Sequence, residues 1–322
     1  MSRVTRGWFT AAALLAFASV VMGAVVCATQ SGASCPNWPG CYSDSFVPAA
    51  QLSPLIEFTH RVIAGITGPA VLVAAILARR LPDRRPRILA WIGLAGTVAA
   101  GVFGMLTVKV GIPWWLGMVD LACALTATAC LLLARLLLSP GVTWAPNVTA
   151  RIAWAAVGVL GAMHLTGIAV AGPDSFTRCL SWPVGVLEAD RWPWLQVVRI
   201  GLAVAAAALI ALAARRAERE GPRFPARLAA GLVLLELALA WVMDAGSGGL
   251  AMRTAYAVVA ATIFSATALL AARASVTVGT GETSGRTRSR WISPRNSDTA
   301  KLVESGELNF TRRQLNRWTP RS

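Results

Sequence analysis

Residues 55–78 read LIEFTHRVIAGITGPAVLVAAILA, and five arginines follow between positions 79 and 87. A helix needs about 20 apolar residues to cross a lipid bilayer, and this run is long enough to do so. Its first two turns nevertheless carry Glu57, His60 and Arg61. Ionisable side chains inside a membrane segment are costly and usually functional, so this stretch predicts both a transmembrane helix and a site.

The composition of the whole chain extends this prediction to a polytopic membrane protein. Of the 322 residues, 56% are hydrophobic and 14% are charged, and the mean hydropathy is +0.59, unlike a soluble domain. The first apolar run follows Arg3 and Arg6, as in a signal peptide, but its length and its recurrence later in the chain predict a retained helix. We predict an all-α fold with eight transmembrane helices, at roughly 8–29, 55–78, 88–108, 115–138, 151–171, 194–214, 226–244 and 249–272.

The eight helices are predicted to form two pseudo-repeated four-helix bundles. An offset of 138 residues aligns Glu57–Arg61 with Leu195–Arg199 and Asp120 with Val258. Internal repeats of this kind are common in membrane proteins. The predicted halves are residues 1–140 and 141–273, and the ionisable side chains are concentrated in the first half.

The positions of the arginines predict the orientation of the helices in the membrane. Cytoplasmic loops carry an excess of Arg and Lys, so the two arginine-rich loops and both termini are predicted to be cytoplasmic. Residues 274–322 are rich in Ser, Thr, Gly and Arg and are predicted to form a disordered basic tail that contacts membrane lipid. The two loops contain Arg79, Arg80, Arg84, Arg85 and Arg87, and Arg215, Arg216, Arg219, Arg223 and Arg227.

This topology explains the net charge of +15. The arginines are divided among short loops and a tail and are not interleaved with aromatic residues on one face, which excludes nucleic acid as a partner. Arginine-rich, alanine-rich usage with only Lys109 and Lys301 indicates a GC-rich bacterial genome. We therefore expect a multi-pass protein of the plasma membrane.

Two of the six cysteines predict a disulfide. Cys35 and Cys41 bracket five residues, two of them prolines, in a loop predicted to be extracytoplasmic. An oxidising compartment and a short turn favour a bridge between them, either a static staple or a redox-active pair. Cys27, Cys123 and Cys130 lie within or at the edge of helices and are expected to be small buried apolar residues.

Cys179 is the predicted repeat counterpart of Cys35. Trp182-Pro183 follows it as Trp38-Pro39 follows Cys35. Because its loop contains no second cysteine, we expect no matching bridge at this position.

Glu57 and His60 are predicted to lie on one face of helix two, since they are three residues apart. Asp120, in the second turn of helix four, is expected at a similar depth. An imidazole inside an apolar helix bundle suits haem iron as an axial ligand. A carboxylate one turn away can accept a proton, orient the imidazole or stabilise a cation on the macrocycle. The spacing does not choose among these roles, nor does it exclude a buried His60 bonded to a neighbour.

Three segments resemble the haem A synthase family. They are Cys35-Pro-Asn-Trp-Pro-Gly-Cys41, Ile56-Glu-Phe-Thr-His-Arg61, and Gly104-Met-Leu-Thr-Val108 followed by Gly111-Ile-Pro113. The resemblance implies an enzyme that oxidises a methyl group of haem O to the formyl group of haem A for cytochrome oxidase. It implies that the first half holds the substrate haem with Glu57 taking part, and that Cys35 and Cys41 are redox-linked. Haem O or another porphyrin is the implied partner, with haem O synthase and cytochrome oxidase subunits as candidates.

The chain departs from the family pattern at three of four expected histidines. The family implies one histidine from each of helices two, four, six and eight, and a haem b relaying electrons in the second half. Only His60 matches, because the other positions read Asp120, Val198 and Val258. Valine cannot ligate iron, so a bis-histidine haem b cannot be carried over to the second half, and a haem b there is doubtful. Arg199 still follows Val198 as Arg61 follows His60.

Two further residues have open roles. Asp120 can bind iron through oxygen, hydrogen-bond a water on the iron, or pair with Lys109, and we favour the last two because carboxylate is an unusual haem ligand. His164 of helix five is expected to be a helix-packing residue. Its alternative is a substitute haem ligand, with Met163 or Met252 as a weaker partner.

The sequence therefore predicts a divergent haem A synthase, with His60 as the metal ligand and Glu57 as the catalytic carboxylate. Asp120 and His164 are further candidate cofactor-binding residues. The alternative is a non-catalytic haem-binding or cytochrome oxidase assembly protein of the same fold. A transporter unrelated to haem is a third possibility, and the few intramembrane charges argue against it.

Overall fold

The computed structural model describes residues 2–111, 113–171, 179–183, 192–243 and 249–278. Within these ranges eight helices are long and apolar enough to cross a membrane, which confirms the predicted number and positions of the spans. They begin and end within several residues of the predicted limits. The helices are α1 (Arg3–Ala28), α2 (Leu52–Ala78), α3 (Arg84–Val110), α4 (Trp114–Leu137), α5 (Val148–Val170), α6 (Pro193–Glu220), α7 (Arg223–Val242) and α8 (Leu250–Ala274).

The helices form two sets with the same neighbour pattern. In the first set α1 packs against α2 and α4, and α3 packs against α2 and α4. In the second set α5 packs against α6 and α8, and α7 packs against α6 and α8. The two sets meet through α8, which contacts α1 and α4, and through α4 with α5. The shared pattern supports the predicted duplication, which remains a prediction, as does the orientation in the membrane.

Small residues allow close packing in the first set. A Cβ at Gly96 of α3 would lie 2.9 Å from the backbone oxygen of Cys123 in α4, and one at Gly93 would lie 3.0 Å from the Leu131 side chain. Such distances exclude larger residues, so the two glycines let α3 and α4 approach each other closely. Small-residue contacts of this kind are the usual basis of helix association in lipid.

The all-α prediction misses a short pair of strands. β1 (Val142–Trp144) and β2 (Val276–Val278) pair antiparallel, with Thr143 opposite Thr277. β2 lies in the segment predicted to be disordered from Ala274, so residues 274–278 are ordered. The alternating Val-Thr-Val of β2 suits a strand. The rest of the predicted tail, 279–322, lies outside the described residues.

The cysteine predictions are partly confirmed. Cys35 and Cys41 form a disulfide, with a Cα–Cα distance of 4.2 Å. Cys27 and Cys179 form a second one across 152 residues, with a Cα–Cα distance of 5.3 Å. The expectation that Cys27 is an unbridged apolar residue and that Cys179 has no partner is therefore wrong. This bridge joins the end of α1 to the segment before α6, so its partners are close in space but not in sequence.

The end of the bundle at which α1 stops and α2 starts is called the cysteine end. α6 begins there, because Arg199 in its second turn donates to the carbonyl oxygen of Ser181, two residues after the bridged Cys179. α4 also begins there, since the rings of Trp114 and Trp192 contact each other edge to face at 5.5 Å. Both disulfides lie at this end, together with the first turns of α2, where the candidate site is found.

Candidate functional site

The loop between Cys35 and Cys41 is a compact, bridged turn above the start of α2. Its Trp38–Pro39 peptide bond is cis. The relative exposure of Cys35 is 1% and that of Cys41 is 0%. Thiol–disulfide exchange requires an attacking thiolate to reach one of the sulfur atoms. Burial of both cysteines therefore favours the static staple over the redox-active pair.

Arg61, in the third turn of α2, binds the backbone of this loop. One terminal nitrogen of its guanidinium donates to the carbonyl oxygens of Gly40, at 2.8 Å, and of Asn37. The other terminal nitrogen donates to the carbonyl oxygen of Cys35, at 2.6 Å, and to Glu57 Oε1. Three carbonyl groups that would otherwise lack a donor are thereby satisfied by one planar side chain, a geometry that arginine provides and lysine does not.

Glu57 completes the same arrangement. Its Oε2 accepts a hydrogen bond from the backbone N–H of Cys35 at 2.8 Å and one from the hydroxyl of Ser34 at 3.0 Å. Its Oε1 forms the ion pair with Arg61, one helical turn away. Both carboxylate oxygens are therefore engaged. Glu57, Arg61 and the three loop carbonyls are called the loop clamp.

His60 lies beside the loop clamp but outside it. The side chain is half-buried, and its Nδ1 is buried without a hydrogen-bond partner in the described part of the chain. The imidazole faces α1 at Gly23, where an added Cβ would lie 3.4 Å from Cε1. His60 is thus not the neighbour-bonded histidine that the sequence left open, and its ring is not committed to another protein group.

Asp120 stands on α4, across the first set from α2. α2 and α4 each pack against α1 and α3, so they face one another diagonally. Asp120 is half-buried, and Lys109 is exposed. Among the described residues Asp120 forms no ion pair, so the expected pairing with Lys109 is not present.

The first set is loosely packed around these two residues. At the cysteine end, α3 has no buried residue after Gly93 among its described positions, and α4 has only Leu116 before Leu125. The opposite end of the same set holds a dense core that includes Phe9, Val71, Ala74 and Leu131. Between Glu57 and Thr67, α2 has no buried residue either. His60 and Asp120 therefore border the part of the set in which α2, α3 and α4 bury few side chains.

The second set differs from the first because, at the depth that corresponds to His60 and Asp120, it contains buried polar side chains. His164 is fully buried on α5, close to the backbone of Leu180, and neither ring nitrogen has a hydrogen bond of ordinary geometry within the described residues. Met163 is also fully buried, whereas Met252 is only half-buried. Val198 and Val258 stand at the positions aligned with His60 and Asp120 and offer no donor atom.

Three buried polar residues of this region were missed from the sequence: Gln196, Glu236 and Tyr256. Glu236 had a readable signal, because it is the only charged residue in the apolar stretch 228–242. An intramembrane carboxylate of this kind is a functional candidate by default. Tyr256 and Gln196 gave no such signal, since either residue is common near helix ends.

These features define a polytopic helical membrane protein with an uncommitted histidine at the cysteine end of its first four helices. Residues 6–54 match the model of the cytochrome oxidase assembly protein family, COX15-CtaA. This match covers the first helix and the cysteine loop, and over much of its length the chain is distantly homologous to haem A synthases.

Haem A synthases of several bacteria are similar to this chain. The protein of Geobacillus kaustophilus is 28% identical over 260 residues, which cover 72% of this chain and 78% of the relative. That of Lysinibacillus sphaericus is 29% identical over 189 residues, or 55% of this chain and 61% of the relative. That of Halalkalibacterium halodurans is 30% identical over 95 residues, or 29% of this chain and 32% of the relative. In the last two cases the match spans less than two thirds of the relative's length.

Proposed function

We propose that the chain is a divergent haem A synthase that binds its haem substrate in the first set of helices, between α2 and α4. The observation that carries the proposal is His60. Its imidazole is uncommitted, and it borders the loosely packed part of that set. Neutral imidazole is a common ligand of haem iron, and apolar helices suit the faces of a porphyrin. The relatives named haem A synthase support the same assignment.

The residues of the first set fit a haem on one side. His60 of α2 would hold the haem iron. Asp120 of α4 suits a hydrogen bond to water better than direct ligation of iron. When bound, the haem would supply both the iron and the methyl group to be oxidised.

Glu57 is the proposed reaction-site carboxylate, and the loop clamp limits its role. Proton uptake by this carboxylate would break its bonds to Arg61 and to the Cys35 amide. We therefore assign it an electrostatic role beside the proposed haem, in which the carboxylate keeps its negative charge and its bonds to Arg61 and to the loop. Oxidation of a methyl to a formyl group with water as the oxygen source releases protons and electrons, so the proposed reaction requires an external electron acceptor from the membrane.

A second candidate is a non-catalytic haem-binding protein of cytochrome oxidase assembly. It is favoured by the full engagement of Glu57 in the loop clamp, which gives this residue a structural purpose without any reaction. In either case we propose a multi-pass protein of the plasma membrane with the arginine-rich loops in the cytoplasm. Haem O synthase and cytochrome oxidase subunits are proposed partners.

The two candidates differ in the pigment they produce. The full chain is expressed in membranes that make haem O, and the extracted haems are separated by chromatography. We expect haem A, and we expect it to disappear in His60→Ala and to fall strongly in Glu57→Gln. Glu218→Gln, a carboxylate at the far end of α6 that pairs with Arg227, is the matched control and should keep the wild-type yield.

The opposite result has a clear meaning. If the purified chain carries haem b or haem O and forms no haem A in any membrane tested, the non-catalytic role is correct. If it binds no haem at all, both candidates fail.

A further inference from the structure

An open groove lies at the end of the bundle opposite the cysteine end, where α2 stops and α3 starts. Its volume is about 570 Å³, and it is lined by side chains of α3 together with the residue that follows α2. The lining combines three guanidinium groups with three large apolar side chains. These residues are called the arginine groove, and they are Arg79, Arg84, Arg87, Ile88, Trp91 and Ile92.

The lining residues of α3 are ordered along the helix from charged to apolar. Arg84 and Arg87 occupy its first turn. About one turn further on, the same face presents Ile88, Trp91 and Ile92, since residues three or four apart are neighbours on a helix. All three apolar side chains are exposed. This face therefore places positive charge at the end of the helix and an uncovered apolar surface directly next to it.

Arg79 extends the charged part of the groove to the end of α2. Its guanidinium lies over the ring of Trp91, 4.8 Å from the ring centroid, which favours a fixed position above the apolar wall. Within the described part of the chain, none of the three arginines forms an ion pair. The adjacent carboxylate of Asp83 caps α3 by accepting a hydrogen bond from the backbone N–H of Arg85 at 2.9 Å. The positive charge of the groove is thus available to an anionic ligand.

The second set of helices lacks these residues. At the offset of 138 residues, alanine or proline replaces every member of the lining. The aligned positions are Ala217, Pro222, Pro225, Ala226, Ala229 and Ala230. In the loop between α6 and α7, Arg227 is paired with Glu218 at 2.7 and 2.9 Å. The arginine groove is therefore a feature of the first set and does not accompany arginine-rich loops in general.

This arrangement matches an amphiphilic ligand with an anionic head group. Guanidinium groups bind phosphate oxygens through paired, charge-assisted hydrogen bonds. Basic pockets between membrane helices bind the head groups of anionic lipids, and Trp is enriched at the depth of those head groups. A free phosphate would leave the apolar wall of the groove without a ligand, whereas the acyl chains of a lipid would cover it.

We propose that the arginine groove binds one anionic phospholipid. Its phosphate lies among the three arginines, and its acyl chains lie along Ile88 and Ile92. Because Arg79 follows the end of α2 and Arg84 begins α3, one phosphate joins the two helices. The site is independent of haem, so its test and the test of the proposed function can fail separately.

The test counts the lipid bound to the purified full chain by native mass spectrometry in detergent. Titration with dioleoylphosphatidylglycerol should give a one-to-one complex before further lipid binds. Arg84→Gln combined with Arg87→Gln should weaken this complex roughly 25-fold, since each arginine near an anionic lipid contributes roughly fivefold. Elution as a single species in detergent shows that each variant is folded.

The matched control removes the same charge from the same loop. Arg80 and Arg85 do not line the groove, and the guanidinium of Arg85 instead lies over the ring of Trp144, 5.5 Å from its centroid. Arg80→Gln combined with Arg85→Gln should therefore keep an affinity close to that of the wild type. The basic tail is the same in all variants, so its attraction for lipid cancels. Equal losses in the two double variants would show diffuse attraction by the whole loop and would overturn the proposal.

The remaining arms identify the ligand. Dioleoylphosphatidylcholine carries a phosphate without net charge and should bind more weakly; equal affinity for the two lipids would contradict recognition of an anionic head group. Trp91→Ala should weaken the phosphatidylglycerol complex, whereas Trp241→Ala, at an exposed position of α7, should not. If sn-glycerol 3-phosphate displaces the lipid at equal concentration, the groove binds a free phosphate ester and the lipid assignment is wrong.

Discussion

The loop clamp makes a quantitative prediction about the Cys35–Cys41 disulfide. Both sulfur atoms are buried, so a reductant reaches them only when the loop opens locally. Arg61 donates to three loop carbonyls and to Glu57, and the relative side-chain exposures of the pair are 12% and 5%. Removing one partner of a buried ion pair costs about 3–5 kcal/mol, and partial exposure favours the lower value. Arg61→Gln should therefore make loop opening easier by about 3 kcal/mol.

The change in the free energy of loop opening predicts a change in the rate at which the Cys35–Cys41 disulfide is reduced. When opening and closing are fast, attack on a protected group follows the population of the open form. A change of about 3 kcal/mol raises that population roughly 10²-fold. We expect Cys35–Cys41 in Arg61→Gln to be reduced by dithiothreitol roughly 10²-fold faster than in the wild type. Arg61→Lys should lie in between, because lysine keeps the charge but not the planar set of donors.

The assay is pulsed alkylation followed by peptide mass spectrometry, which follows each disulfide separately. The Cys27–Cys179 bridge serves as a control within the same sample, and its reduction rate should change little. Arg80→Gln is the matched variant, since Arg80 is exposed and no side-chain bond is assigned to it among the described residues. Equal reduction rates of Cys35–Cys41 in Arg61→Gln and Arg80→Gln would refute the loop clamp.

Three further predictions concern packing and the second bridge. Gly23→Val should push the His60 ring aside and weaken haem retention by roughly 5- to 150-fold in a haem-transfer assay, since overpacking costs about 1–3 kcal/mol, whereas Gly7→Val, with no atom within 4 Å of its added Cβ, should not. Cys27→Ser should lower the free energy of unfolding by about 2–5 kcal/mol, and thermal unfolding in detergent should show no such loss if the bridge does not form. Gly96→Ala should lower the melting temperature through its 2.9 Å contact, while Gly101→Ala, with open space around it, should not.

Most of the fold was predictable because hydropathy and length are local properties. All eight spans follow from runs of apolar residues, and the disulfide within the Cys35 loop follows from close spacing in sequence. The Cys27–Cys179 bridge and the pairing of β1 with β2 join residues far apart in the chain, so their partners depend on how the helices pack. A local pattern cannot supply that information.

The candidate site was predictable in its residues but not in their roles. Glu57 and His60 were correctly placed on the first turns of one helix. Glu57 belongs to the loop clamp, whereas His60 remains an uncommitted candidate ligand. This difference depends on the contacts of Arg61 with Glu57 and with the loop carbonyls. The i, i+4 spacing of Glu57 and Arg61 could have suggested an ion pair. The bonds of Arg61 to the loop could not be read from spacing.

Arginine and histidine of the Glu-x-x-His-Arg element therefore have separable roles. Arg61 donates to the carbonyl of Asn37, the residue before Trp38-Pro39, and Arg199 donates to the carbonyl of Ser181, the residue before Trp182-Pro183. The same backbone position is thus held by the aligned arginine in both sets. A valine in place of the histidine leaves this contact intact, because the two adjacent side chains point in different directions from the helix. The second set can thus keep the loop in place without a metal ligand. The first set keeps both the loop contact and the histidine. The haem chemistry proposed for this chain therefore depends on His60 rather than on Arg61.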